Sequence, residues 1–165
     1  MSKLILAGEP LNGRTGHDAG RELLKKLYAE HFGGEMPDIL VEERGKPYFS
    51  TGTVHFSISH TKRHVFCALC DCPVGIDAEE PDRIVKPNLA EKILSAGEFA
   101  QYEAAADKNK ALLTFWVLKE AAAKLSGDGL RGYPNQTDFS LDDSRVTEMD
   151  GCLLAVMTKE ESDAL

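Results

Sequence analysis

The stretch Val65-Phe-Cys-Ala-Leu-Cys-Asp-Cys-Pro-Val-Gly-Ile-Asp-Ala-Glu79 decides how the chain is to be read. Val65–Cys70 is a short apolar run, the pattern of a buried strand. Val74–Glu79 reads as a second strand, and the brief gap between the two predicts a hairpin. Within the second strand Asp77 and Glu79 are two apart, so the period of two puts both carboxylates on one face. Carboxylates so placed repel each other unless water or a cation neutralises them. Magnesium takes one or two carboxylates together with phosphate oxygens. A solvated surface pair is the plainer alternative.

Upstream, His55–Ser59 alternates, with Phe56 and Ile58 on one face and Ser57 and Ser59 on the other. Lys3–Ala7 reads as a strand. Thr15 caps a helix with Asp18 in its first turn. Ala19, Leu23, Leu24, Leu27, Tyr28 and Phe32 follow at helical spacing up to Gly33-Gly34. Ile39–Glu43 is a further strand, and Gly45-Lys46-Pro47 a turn. Downstream, Pro81 and Pro87 punctuate a loop. Ser95-Ala-Gly-Glu98 matches a capping box and opens a helix to about Ala106. Lys110–Ser126 is the clearest helix, stopped by Gly127. Residues 137–158 alternate weakly and read as strands closing the sheet. Two blocks of helix plus strands therefore lie on either side of about residue 72, too dissimilar to be called a repeat.

The helix segment Trp116-Val-Leu-Lys-Glu120-Ala-Ala-Ala-Lys124 is more specific. Trp116, Glu120 and Lys124 fall at i, i+4 and i+8, along one face. Three alanines keep that stretch slim, which suits close approach of a ligand or another element. Taken alone, Glu120 and Lys124 read equally as a surface ion pair worth a few tenths of a kcal/mol.

Composition narrows the class. The 165 residues fit one domain or two small lobes sharing a core, and 42% hydrophobic residues suffice to build it. A net charge of -8 argues against broad nucleic-acid or membrane-surface binding, though a local basic pocket can still take an anion. No apolar stretch approaches a membrane span, and the first residues lack the long apolar core of a signal peptide. The protein reads as cytoplasmic. Its cysteines are Cys67, Cys70, Cys72 and Cys152. In a strand Cys67 faces away from Cys70, and a second paired cluster is missing, so buried free thiols fit better than structural zinc.

Read in order, Gly45-Lys46-Pro47, Phe56-Ser-Ile-Ser59-His60, Val74-Gly-Ile-Asp77-Ala-Glu79, Leu94-Ser-Ala-Gly-Glu98 and Trp116-x-x-Lys-Glu120-Ala-x-x-Lys124 closely resemble the 4′-phosphopantetheinyl transferases of the surfactin-synthetase-activating (Sfp) type. Each motif is weak by itself, and the ordered set over about residues 45 to 130 is strong. The resemblance implies an α+β fold of two pseudo-twofold-related lobes, each with a small antiparallel sheet and a long helix. The boundary falls near residue 72 within one domain spanning 1–165. It implies transfer of the phosphopantetheine arm of coenzyme A to a serine of an apo acyl or peptidyl carrier protein.

The implied roles follow residue by residue. Asp77, Glu79 and Glu120 would hold Mg²⁺ on the coenzyme A diphosphate, and Lys124 would neutralise that diphosphate. Ser59 would bond a phosphate oxygen and His60 would pair with the 3′-phosphate. Lys46 would line the nucleotide site. Arg21 falls where the family has a basic residue near the 3′-phosphate, and Glu98 at an acidic position near the metal. Glu120 or a metal-bound water would take the serine proton.

Three departures accompany the resemblance. The block before the first helix is short for this type, leaving Arg14 and Arg21 to supply basic contacts. Val117 stands where a small polar residue is common. The acidic total charge means that an acidic carrier protein needs a local patch, for which Lys62-Arg63-His64 is a candidate. With Lys46, Ser59-His60 and the metal motifs in one chain, the expected state is a monomer. A non-catalytic coenzyme A-binding relative and a structural interaction domain are the rival readings.

Overall fold

The computed structural model describes residues 3–127 and 137–160. Strand β1 (Leu4–Pro10) leads into α1 (Gly16–His31), which Thr15 caps by accepting from the Asp18 N–H at 3.1 Å. A small hairpin of β2 (Ile39–Val41) and β3 (Pro47–Phe49) turns at Gly45, whose φ of 97° lies in the left-handed region that glycine tolerates. Strands β4 (His55–His60) and β5 (His64–Cys70) complete an antiparallel sheet in the order β1-β5-β4. The side chains of β5 alternate. Val65, Cys67 and Leu69 pack with Leu23, Leu24 and Leu27 of α1, while Phe66, Ala68 and Cys70 face the other way. Cys67 and Cys70 thus lie on opposite faces, as the spacing requires.

Strand β6 (Val74–Glu79) does not form the expected hairpin with β5. Both edges of β5 are already taken by β1 and β4, so β6 stacks against the sheet through Val74, Ile76 and Ala78. It pairs instead with the last strand, in a second antiparallel sheet ordered β6-β8-β7, where β7 is Val146–Met149 and β8 is Cys152–Thr158. The register sets Asp77 opposite Ala155. The other edge of β6 meets β4. There the Ser57 hydroxyl accepts from the Ile76 N–H and the Ser59 hydroxyl from the Ala78 N–H, each at 3.0 Å. Two edge amides that would be orphaned in a buried position are satisfied by side chains.

Between the sheets' elements lie α2 (Asn88–Ile93), α3 (Ala96–Ala104) and α4 (Lys108–Ser126). Helix α2 occupies part of the stretch read as loop after Pro81. Ser95 and Glu98 form the complete capping box of α3. Helix α4 ends at Gly127, with φ of 80°. It covers the outer face of the second sheet, packing Val117, Leu118 and Ala121 on Ala155 and Met157. The approach is close enough to require glycine: a Cβ on Gly75 would stand 2.3 Å from the Ala121 carbonyl oxygen. The slim alanine stretch therefore meets a strand. Residues 137–145 are not strand, contrary to the weak alternation. Asp143 accepts from the Arg145 N–H at 2.9 Å, the local bonding by which short polar side chains compete with a ladder. Among the described residues no helix is long and apolar enough to cross a membrane.

Candidate functional site

Gly75, Asp77 and Glu79 share the face of β6 that α4 covers, by the period of two. Opposite them stands the α4 face with Trp116, Glu120 and Lys124. The Lys124 ammonium donates to Asp77 Oδ1 at 3.2 Å and to the Ile58 carbonyl at 3.3 Å. The Ser59 hydroxyl, while accepting from the Ala78 N–H, lies 3.3 Å from the same Asp77 oxygen. Among the described residues, the buried Asp77 Oδ2 has no hydrogen-bond partner. Glu79 is held by the Arg83 guanidinium and bonded by the Trp116 side chain.

The electrostatics of the three acids are linked. Burial pushes Asp77 up to about 6. Lys124 and Ser59 pull it down, and the Glu120 charge pushes it further up. Glu79 is raised by burial, against Arg83, and by Asp77. Glu120 is raised by burial, against Lys124, and by Glu79. Each carboxylate feels another, and one presents a buried oxygen with nothing to bind. Hard oxygen donors in that condition fit a divalent cation such as Mg²⁺. The three carboxylates are not drawn together as tightly as a preformed cluster. Among the described residues, the groups whose ligand atoms all lie within 4.8 Å of one another are His64–Glu80–Cys152 and Cys70–Asp71–Cys72. Magnesium is commonly held by one or two carboxylates with the remaining positions filled by substrate oxygens and water.

Lys46 crosses from the β2–β3 hairpin to donate to the Leu125 carbonyl at 2.8 Å, near the negative end of α4. Burial lowers its pKa. Lys46, Arg44, Ser57, Glu120, Lys124 and Gly127 line a cavity of about 290 Å³. His60 is exposed and lies against the start of α1, where a Cβ on Gly16 would come 2.2 Å from its ring. With Lys62, Arg63, Glu79, Glu80 and Arg83 it lines a separate cleft of about 570 Å³. The structure therefore brings Asp77, Ser59, Glu120, Lys124 and Lys46 to one place, with Glu79 reaching the neighbouring cleft. Arg21 sits on α1 beside Gly20, which is laid on Ile58. Among the described residues it makes no hydrogen bond or ion pair to the cluster.

Other sequence candidates have different partners. Arg14 bridges Glu9 at 3.1 Å and Glu22 at 2.6 Å, buttressing the turn into α1. Glu98 is fully buried and paired at 2.8 Å with Lys119, on α4 beside Glu120. Its other oxygen accepts from the Phe139 N–H at 2.8 Å. Of Lys62-Arg63-His64, Arg63 is bound to Glu80 and Asp82 and His64 to Glu80, so little of that patch is free positive charge. Sequence reasoning missed Arg83 and Glu80. Its only signal for them was a polar cluster around Pro81.

A family model described as the 4′-phosphopantetheinyl transferase superfamily matches residues 73–161. The chain is 34% identical to the 4′-phosphopantetheinyl transferase psf-1 of Bacillus pumilus, over 68% of this chain and 52% of the relative. It is 31% identical to the 4′-phosphopantetheinyl transferase Sfp of Bacillus subtilis (strain 168), over 67% and 51%. It is 33% identical to the 4′-phosphopantetheinyl transferase AcpT of Salmonella typhi, over 66% and 57%. The chain thus spans about half the length of the curated relatives it matches.

Proposed function

The chain belongs to the 4′-phosphopantetheinyl transferase superfamily, and from that premise we propose that it transfers the 4′-phosphopantetheine arm of coenzyme A to a serine of an apo carrier protein. The observation that carries the reading is the buried Asp77 carboxylate, with one oxygen on Lys124, the other without a partner among the described residues, and Glu120 near enough to raise its pKa.

In this reading Asp77, Glu79 and Glu120 hold Mg²⁺. Their oxygen donors, their mutual repulsion and the orphaned oxygen support it. When bound, such an ion would supply positive charge against the diphosphate. Lys124 adds a fixed ammonium against the same charge. Lys46 contributes to the nucleotide end of the 290 Å³ cavity. Ser59 turns its hydroxyl from Asp77 to a phosphate oxygen. His60, with Arg21 on the adjoining helix, takes the 3′-phosphate. Serine is a weak nucleophile until a base removes its proton. We assign that role to Glu120, through the carboxylate oxygen that would be left off the ion, on the α4 face that also carries Lys124. The serine Oγ then attacks the β-phosphorus, its proton goes to Glu120, and 3′,5′-ADP leaves.

We further infer that the two sheet-and-helix units are pseudo-twofold-related lobes of one domain spanning residues 1–165, with the boundary near 72. Coenzyme A would lie between them. The chain would act as a monomer in the cytoplasm, without nucleic acid or membrane. Support comes from the cavity itself, which draws Lys46 from one unit and Glu120 and Lys124 from the other. Intact-mass analysis of apo carrier proteins incubated with the protein, coenzyme A and Mg²⁺ tests the reading. A gain of one phosphopantetheine arm is expected. Coenzyme A binding without mass gain on any carrier would point to a non-catalytic relative.

A further inference from the structure

A second cluster, separate from the carboxylate site, has the atoms of a metal centre. We propose that His64 Nδ1, Glu80 Oε1 and Cys152 Sγ form a binding site for a zinc-type ion that ties the two sheets together. The three atoms all lie within 4.8 Å of one another. Nδ1 is 2.8 Å from Oε1 and 3.6 Å from Sγ. A tetrahedral zinc with its usual bond lengths separates nitrogen from sulfur by about 3.5 Å and nitrogen from oxygen by about 3.4 Å. The sulfur is already at that separation, and the carboxylate has to recede by about half an ångström.

The donor set selects the ion. One imidazole, one carboxylate and one thiolate suit a borderline-soft cation and not magnesium, which prefers oxygen alone. The surroundings resemble a prepared outer shell. The Arg63 guanidinium holds the second Glu80 oxygen at 3.1 Å. The Thr61 hydroxyl donates to Oε1 at 2.7 Å and has the His64 carbonyl at 3.4 Å as an alternative acceptor, so it can turn away when an ion takes that oxygen. Cys152 is fully buried, while the His64 side chain is 22% exposed and gives the ion an approach from solvent.

Placement gives the site its consequence. His64 opens β5, Glu80 follows β6 directly, and Cys152 opens β8. One ion would join a strand of the first sheet to two elements of the second. The inference is independent of the transfer reading, since none of the three residues serves the diphosphate site.

The test is to strip the full chain with chelator and titrate it with Co²⁺, a spectroscopic stand-in for Zn²⁺. The thiolate-to-cobalt charge-transfer band should saturate at one equivalent, whatever cobalt the carboxylate site takes without such a band, and Zn²⁺ should abolish the band and raise Tm. Cys152→Ser and His64→Gln, checked for folding by circular dichroism, should each weaken binding by more than about 10-fold and remove or shift the band. Cys70→Ser, Cys72→Ser and Asp77→Asn should leave it intact. Absence of the band in the wild-type chain, its survival in Cys152→Ser, or its loss in Cys70→Ser would overturn the proposal.

Discussion

Lys124 Nζ lies 3.2 Å from Asp77 Oδ1, while Oδ2 of the same carboxylate is buried without a partner. The lysine thus compensates only part of a charge that burial disfavours, and in the proposed reading a cation would compensate the rest. Lys124→Met removes that compensation and, in the proposed reading, the fixed positive charge against the diphosphate. Steady-state kinetics on a carrier protein should record a fall in kcat/KM of about 10²–10³-fold, the usual loss when one preorganised charge is removed. Near-wild-type turnover would exclude Lys124 from the reaction.

The raised pKa of Asp77 has a definite sign. Its ordinary value is 3.8 and the folded chain holds it at about 6. Between those values the folded chain binds a proton that the unfolded chain has released. Without metal, the contribution of Asp77 to stability is therefore greatest at low pH and is lost as pH rises from about 4 to about 6. Asp77→Asn keeps the neutral form at every pH. Thermal melts in chelator should accordingly find the wild type losing ground to Asp77→Asn across that window. With Mg²⁺ present the proton competes with the ion, so affinity should weaken about tenfold per pH unit below about 6. A wild type that gains on the variant through the window contradicts the assignment.

Gly75 is the point of closest approach between β6 and α4, where a Cβ would meet backbone rather than a flexible side-chain end. Gly75→Ala must push the helix and its three site residues away from the strand. Urea unfolding should show a loss of about 1–3 kcal/mol. An unchanged midpoint would mean that the helix sits further off than the structure has it.

Ser57 satisfies the Ile76 amide at the joint between β4 and β6. Ser57→Ala leaves that buried N–H without its acceptor, a loss of about 1–3 kcal/mol. Hydrogen exchange should read it locally, as faster exchange at Ile76 with little change at the centre of β5.

Glu98 and Lys119 form a pair with almost no solvent contact, one residue from Glu120. Removing one partner strands the other charge, so Glu98→Gln and Lys119→Met should each lose about 3–5 kcal/mol. A double-mutant cycle should find the double variant far more stable than the sum of the singles. Additive losses would show that the two residues act separately.

Much of this was legible from local pattern. The Thr15 cap, the Ser95 capping box and the Gly127 stop depend on neighbours within a few residues, and each appears where the sequence put it. Period-two spacing placed Asp77 and Glu79 on one face, and i, i+4, i+8 spacing aligned Trp116, Glu120 and Lys124. Proximity of those two faces rests on Gly75 against Ala121, a contact between segments far apart in sequence, and periodicity carries no such information. The β5–β6 hairpin failed for the same reason. Two adjacent strand patterns reveal nothing about β1 and β4 having claimed both edges of β5. Glu98 was read through its place in a motif, and its pairing with Lys119 depends on how α3 packs on α4.

The central claim is that Asp77, Glu79 and Glu120 hold a magnesium ion on the diphosphate of coenzyme A. Calorimetric titration of the wild type and Asp77→Asn with coenzyme A, each in Mg²⁺ and in chelator, tests it most directly. The account predicts that Mg²⁺ tightens coenzyme A binding to the wild type and leaves binding to Asp77→Asn unaffected. Equal affinity with and without Mg²⁺ in the wild type, or the same Mg²⁺ effect in both chains, would contradict it.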